Sequence, residues 1–407
     1  MDAARHDAVV DASDAGLCHA TMAAADRTRK VVVSHPFDQA QNASGEFEVF
    51  NLDETGALTE PGVHFTLGPT TQGTIALTPD GLVGLVAEDD GTLGVFRFDA
   101  SGAPHVVSAS LSGSFYATGV VMDPSGARAY VLDDQTVGNG GGIYTESIAC
   151  DGTVADLGLL ASADLPATVL PLGGASAGTA VVLARNFRGL PVILDGGPPD
   201  ANADVAVSTH HDAGAPLPGN DAVLVAWPSA TKVIGTADPF GDQLAIVSSG
   251  VTTTDGRYVL LGDNSQFSGI PNRVGVVSIG ASGIAAAGVV ENVMDPECLV
   301  ASPFDDTILV TSAFGNALFV LTHATEAGST PFVMAGPLTY AGPAPQLPGP
   351  AVMINRGSLN GRVLVAENQA IRQVQFATGG VVTDLGPTSS GPASDFTDLV
   401  GAIGVQP

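Results

Sequence analysis

Seven short apolar runs in this chain each end on a polar residue, most of them able to do chemistry. The runs are VVVSH, LVGLVAE, AYVLD, AVVLAR, YVLLGD, ILVTS and RVLVAE, closing on His35, Glu88, Asp133, Arg185, Asp263, Ser312 and Glu367. The next position holds Pro36, Asp89, Asp134, Asn186, Asn264, Ala313 and Asn368. If the runs repeat around a ring, four carboxylates, one imidazole and one guanidinium share a mouth. Two chemistries suit such a set. Glu88, Asp263, Asn264, Glu367 and Asn368 offer hard oxygen donors of the kind that hold Ca2+. A divalent ion there would polarise a lactone or phosphoester oxygen and activate water. Alternatively His35 or Asp133 acts as general base while Arg185 holds an anionic oxygen. A plainer reading competes with both, because a short polar side chain at this point commonly bonds the backbone of the loop that follows. Glu, His and Arg replace an Asn poorly in that role, so the column is where function is expected.

Other chemistry is harder to place. No GxSxG elbow, P-loop, HExxH or dinucleotide fingerprint occurs, which disfavours serine-hydrolase and nucleotide chemistry. His210-His211-Asp212 reads as a solvated loop, and neither Asp89-Asp90-Gly91 nor Asp133-Asp134 has EF-hand spacing. Cys18, Cys150 and Cys298 lie far apart without a CxxC pair, leaving open one disulfide plus a thiol or three thiols. With 14 basic against 42 acidic residues the formal charge is -28, which repels nucleic acid and anionic lipid. No apolar run reaches the roughly 18 residues of a membrane span.

The elements that must position the column are strands. Only 14% of residues are charged, and 51 Gly and 27 Pro accompany many Val and Thr, a composition of short strands and tight turns. A unit of strand, turn, strand, loop, strand and a looser fourth strand recurs. Its best copy, TIALTPDG–LVGLVAEDDG–TLGVFRFD, is followed by GVVMDPSG–ARAYVLDD–GIYTESIA. Later copies are VSSGVTTTDG–RYVLLGDN–NRVGVVSI, LVASPFDD–TILVTSAFGN–ALFVLTH and AVMINRGSLNG–RVLVAENQ–AIRQVQFA, with TVLPLGGASAG–TAVVLARN–LPVILDG as a degenerate one. Pro79-Asp80-Gly81, Pro124-Ser125-Gly126 and Asp255-Gly256 supply equivalent turns. The seventh unit is split: KVVVSHPF and GEFEVFNLD near the start lack a first strand, and LVGAIGVQP at the end supplies one. The sequence therefore predicts an all-β, seven-bladed β-propeller closed by pairing of N- and C-terminal strands in one blade. Residues 1–28 read as a disordered or loosely attached tether, 29–407 as one propeller, and about 195–221 as a loop inserted in the fourth blade. Trp227, Phe96, Phe98 and Phe319 are expected to pack between blades.

TPDGLVGLVAEDDGTLGVFRFD, DPSGARAYVLDD and RVLVAENQ resemble the YVTN repeats of the lactonase-like seven-bladed propellers. The resemblance covers most of the chain and implies architecture more than chemistry, since that fold serves many activities. By analogy, lactone- and phosphotriester-hydrolysing propellers use a calcium ion at the axis. Two functions follow as expectations: a hydrolase of small esters, lactones or phosphoesters at a metal-binding mouth, or a non-catalytic extracellular binding propeller. Residues 2–16 resemble the spacer after a lipidated cysteine, so the chain is expected to be secreted or periplasmic, lipid-anchored in its precursor, and monomeric.

Overall fold

The computed structural model describes residues 19–36, 45–70, 73–88, 90–107, 109, 111, 117–133, 141–189, 221–227, 233–241, 245–264, 272–324, 330–388 and 400–407. Alternating apolar residues build each blade as an antiparallel sheet whose two faces are both covered. Blade 1 runs outward from the axis as Ile403–Val405, Arg29–His35, Glu46–Leu52 and Leu58–Thr66. Blade 2 is Ala76–Leu77, Val83–Ala87, Leu93–Phe98 and Pro104–Val107; blade 5 is Val247–Thr252, Tyr258–Asp263, Arg273–Gly280 and Gly283–Glu291. Blade 6 is Pro296–Ala301, Ile308–Ser312, Ala317–His323 and Phe332–Pro337, and blade 7 is Ala351–Ile354, Arg362–Glu367, Ala370–Ala377 and Val381–Pro387.

Blades 3 and 4 share a strand. Blade 3 begins with Ala117–Met122, Arg128–Asp133 and Gly142–Ile148, and its outer edge is the first half of the strand Val154–Pro171. The second half of that strand is the inner edge of blade 4, followed by Thr179–Gly189, Ala222–Ala226 and Val233–Ala237. Leu165, at φ 45°, marks the bend between the halves.

The ring closes as the split repeat predicts, with Val31, Val32 and Val33 paired to Val405, Gly404 and Ile403. The seven innermost strands touch in succession around the axis and return to the first. Because side chains alternate, each strand serves two neighbours. Val31 and Val33 pack with Leu364 and Ile371 of blade 7, and Val32 packs with Val86 and Phe96 of blade 2. Among the described residues every adjacent pair of blades encloses one such apolar cluster. Burying each Val or Leu stabilises by about 1.5–3 kcal/mol. Trp227 packs edge-on against Tyr130 with centroids 4.4 Å apart, between blades 4 and 3. Gly81, Gly126 and Gly256 hold φ of 74°, 69° and 70°, the left-handed geometry that the first-to-second-strand turns need.

Two expectations change. LPVILDG, read as the third strand of blade 4, lies outside the described residues. The strand paired beside Thr179–Gly189 is Ala222–Ala226, with Thr179 opposite Ala226 and Leu183 opposite Ala222. Both segments are short and apolar, and only pairing distinguishes them. The insertion therefore separates the second and third strands of blade 4, and His210-His211-Asp212 falls within its undescribed part. Second, residues 19–28 are not a loose tether. His19 is 3% exposed, its Nδ1 lies 2.7 Å from Asp80 Oδ2, and its Nε2 lies 2.9 Å from the Ala149 carbonyl. Further along, Ala23 donates to the Pro79 carbonyl, Arg356 donates to the Ala23 carbonyl, and Ser358 N–H donates to Asp26. This strap crosses the face opposite the polar column, from blades 2 and 3 to blade 7. Cys150 is disulfide-bonded and Cys298 is a free thiol; Cys18 lies outside the described residues.

Candidate functional site

Second strands end, third strands begin and blades connect at one face of the ring, so the polar column does share a rim. Its described members His35, Glu88, Asp133, Asp263, Ser312 and Glu367 are buried there. His35 Nε2 lies 2.9 Å from Glu48 Oε2, and its ring stacks on His64 at 6.2 Å. Glu88 accepts the Thr92 hydroxyl and lies against Gly68 and Gly94, where any Cβ would collide with its carboxyl. Burial raises the Glu88 pKa. Asp133 is fully buried opposite Gly142; burial first, then the Asp133 charge, pushes the nearby Tyr144 hydroxyl up to about 12. Asp263 accepts Ile246 N–H at 3.0 Å and Arg273 Nε at 2.8 Å. Ser312 is buried under Gly315. Glu367 accepts Arg372 Nε at 3.0 Å, and the same guanidinium donates to Asp384 and to the Pro343 carbonyl, each at 2.8 Å. Arg185 stands on the second strand of blade 4, its side chain outside the described residues.

Two carboxylates of the column, Asp263 and Glu367, thus tie the second strand of their blade to the third, and His35 contacts Glu48 across the same pair of strands in blade 1. As a calcium cage the set fits poorly, on the chemistry of its donors. Asp263 and Glu367 are spent on guanidiniums. Among the described residues no three His, Cys, Asp or Glu side chains form a group that could hold a metal ion.

The carboxyl groups best placed for proton transfer are ones that the repeat alignment missed. In blade 6 Pro296 pairs with Ser312 and Cys298 with Thr311, leaving Glu297 as the extra residue of a bulge on the innermost strand. Ser248 and Thr118 occupy the same bulge in blades 5 and 3. Bulges re-aim side chains and are frequent beside active sites. Burial, then the Asp295 charge, raises Glu297 to about 7. Asp295, itself buried, accepts Phe314 N–H at 2.7 Å. On the other side of Asp263, burial and then a hydrogen bond with Asp238 raise Asp221 to about 8, and the Arg273 guanidinium lies 4.5 Å from the Phe240 ring centre. Asp221, Asp238, Asp263–Asn264, Asp295 and Glu297 therefore form an acidic arc over blades 4 to 6, with two carboxyls that exchange protons near neutral pH. Such perturbed groups mark candidate acid–base sites. One signal was legible: in MDPECLVAS a glutamate interrupts a first strand whose residues are uncharged in the other copies. Asp221 and Asp238 sit at strand ends outside the column and left none.

A rim of buried acids on a closed seven-bladed β-propeller is the class that fold and site define. Solved structures of other proteins share this fold. A periplasmic gluconolactonase from Pseudomonas aeruginosa superimposes with TM-score 0.58 at 13% identity, over 93% of this chain and 99% of that one. A candidate 6-phosphogluconolactonase from Bacteroides uniformis gives 0.62 at 11%, over 93% and 100%. The dihydro-heme d1 dehydrogenase NirN gives 0.52 at 12%, over 91% and 76%. At these identities the likeness establishes fold alone. No protein-family model matches the chain, and no curated protein matches it significantly.

Proposed function

We propose that this propeller hydrolyses small lactones or related esters at the mouth of its channel by metal-free acid–base chemistry. The observation that carries the reading is Glu297: a half-buried carboxyl on an innermost-strand bulge, with its pKa raised to about 7 and bonded by Asn264. As carboxylate it takes a proton from water while the water oxygen attacks the lactone carbonyl carbon. The ring C–O bond then breaks, and the Glu297 proton passes to the departing oxygen, giving the hydroxy acid. The lactonase names among its fold relatives support the substrate class. The Cys150 disulfide and the periplasmic relative support export, since disulfides persist in oxidising compartments. No helix among the described residues is long and apolar enough to cross a membrane.

The test is hydrolysis of δ-gluconolactone, a phosphorylated sugar lactone, aryl esters and a phosphotriester, with and without EDTA. Activity on a lactone or ester is expected to survive EDTA and to rise with pH through about 7 as Glu297 loses its proton. Glu297→Gln is expected to lower kcat roughly 10²–10⁴-fold. Undiminished activity in that variant removes Glu297 from the mechanism. Loss in EDTA with recovery on adding Ca2+ restores the metal-assisted reading, and no turnover of any probe leaves the binding propeller.

A further inference from the structure

The face opposite the acidic rim gathers positive charge that the propeller leaves unpaired. Arg27 stands on the strap that crosses this face. Arg29 begins the second strand of blade 1, and Arg356 lies in the turn between the first two strands of blade 7. Each guanidinium feels the others. Burial, then the Arg356 charge, lowers the Arg27 pKa; burial, then the Arg27 and Arg356 charges, lowers that of Arg29. Asp80 opposes the shift at Arg27, and Asp26 and Glu54 oppose it at Arg29, without reversing either. Three cations thus crowd together in a chain whose formal charge is -28.

Their hydrogen bonds do not balance that charge. Arg29 donates to the main-chain oxygens of Ala25, Arg27 and Arg356, Arg356 donates to that of Ala23 at 2.8 Å, and Arg27 reaches a Pro407 oxygen at 3.4 Å. Among the described residues the arginines in ion pairs are Arg257, Arg273 and Arg372. The nearby carboxylates serve other groups: Asp26 accepts Ser358 N–H at 2.7 Å, and Asp80 holds His19, the Thr78 hydroxyl and Leu82 N–H. Arg29 is fully buried, and Arg27 Nε, Arg29 Nε and Arg356 Nη1 are buried with no hydrogen-bond partner among the described residues. Arginine is rarely buried without a paired charge, and an orphaned N–H or charge is costly. Water satisfies such N–H groups but leaves the repulsion in place. An anion removes both.

Guanidinium forks match the oxygens of carboxylate and phosphate. Three forks offer more donors than a carboxylate has oxygens, whereas a phosphate group carries three strong acceptors. The acidity of the whole chain repels an anionic bilayer, which favours a soluble ligand. We infer that Arg27, Arg29 and Arg356 form a binding site for a phosphate group, free or carried on a small soluble molecule. Arg27 and Arg356, both half-buried, meet it from the solvent side, and Arg29 forms the floor. The site is independent of the hydrolase reading, because it lies on the other face of the ring.

The test is calorimetry and thermal unfolding of the full chain with inorganic phosphate, glucose 6-phosphate and phosphatidylglycerol vesicles, each against sodium chloride at equal ionic strength. At least one soluble phosphate is expected to bind and to raise the melting temperature above that in chloride, since a ligand of the folded state stabilises it. Arg27→Gln and Arg356→Gln are each expected to weaken that binding about tenfold or more, as loss of a charge-assisted hydrogen bond does. Arg27→Lys keeps the charge without the fork and is expected to restore part of it. The phosphate-dependent shift is what is read, so a variant that melts earlier still decides the matter. Glu297→Gln is expected to leave phosphate binding intact, and Arg27→Gln to leave lactone hydrolysis intact, so failure of either reading is distinguished from failure of the other. The inference is overturned if chloride matches phosphate, if both glutamine variants bind undiminished, or if only the vesicles bind.

Discussion

In blade 7 a single guanidinium, Arg372, holds Glu367 and Asp384, all three buried. Removing one partner of a buried ion pair leaves an uncompensated charge and costs about 3–5 kcal/mol. Arg372→Ala is therefore expected to lower stability by about that much in urea denaturation, and adding Glu367→Gln with Asp384→Asn should recover part of it. Glu146 is the opposite case, a fully buried carboxyl whose oxygens have no hydrogen-bond partner among the described residues. Burial first, then the Asp156 charge, raises it from 4.5 to about 8. The folded state thus binds its proton more tightly than the unfolded chain does. The stability it contributes is full below about pH 4.5 and is lost as pH rises toward 8. Asp221 and Glu297 act with the same sign. Melting temperature is expected to fall between pH 5 and 8, and Glu146→Gln should flatten that fall; an unchanged slope would show that Glu146 is not the source.

Strands were the most legible level of this molecule. Period-two alternation, Pro-Asp-Gly and Pro-Ser-Gly turns and the split unit at the termini pointed to the blades and to their closure, because repetition supplies the same signal several times over. Blade 4 escaped because LPVILDG and AVLVA are equally plausible strands, and pairing across an insertion leaves no local mark. The site was less legible for a related reason. A column of equivalent positions locates a rim, yet each contact depends on its own partner, such as Arg273 for Asp263 or Glu48 for His35. Glu297 and Asp221 acquire their shifted pKa values from burial that no spacing records. The strap was also missed, since its hold on the ring comes from single contacts and not from periodicity. His19→Ala is expected to cost about 1–3 kcal/mol by leaving Asp80 and the Ala149 carbonyl without their shared partner. Thermal unfolding would show it, and an unchanged melting temperature would reduce the strap to a passive covering.

At the scale of the whole ring, closure rests on three residue pairs between Val31–Val33 and Ile403–Val405. Removing residues 401–407 exposes the edge of blade 1, and exposed edges pair with other chains. The shortened chain is expected to elute at a larger apparent size than the 407-residue chain in size-exclusion chromatography; an unchanged elution volume with cooperative melting would show that the strap holds the ring without this pairing. The shared strand Val154–Pro171 has a different consequence. Six hydrogen-bonded sheets make seven blades, so blades 3 and 4 are one mechanical unit. Drawn apart by its ends in an optical trap, the chain should yield most blades singly. Residues 117–237 should instead let go in one step, lengthening the tether by about 40 nm at roughly 3.3–3.6 Å per residue, about three times the length released by any other blade.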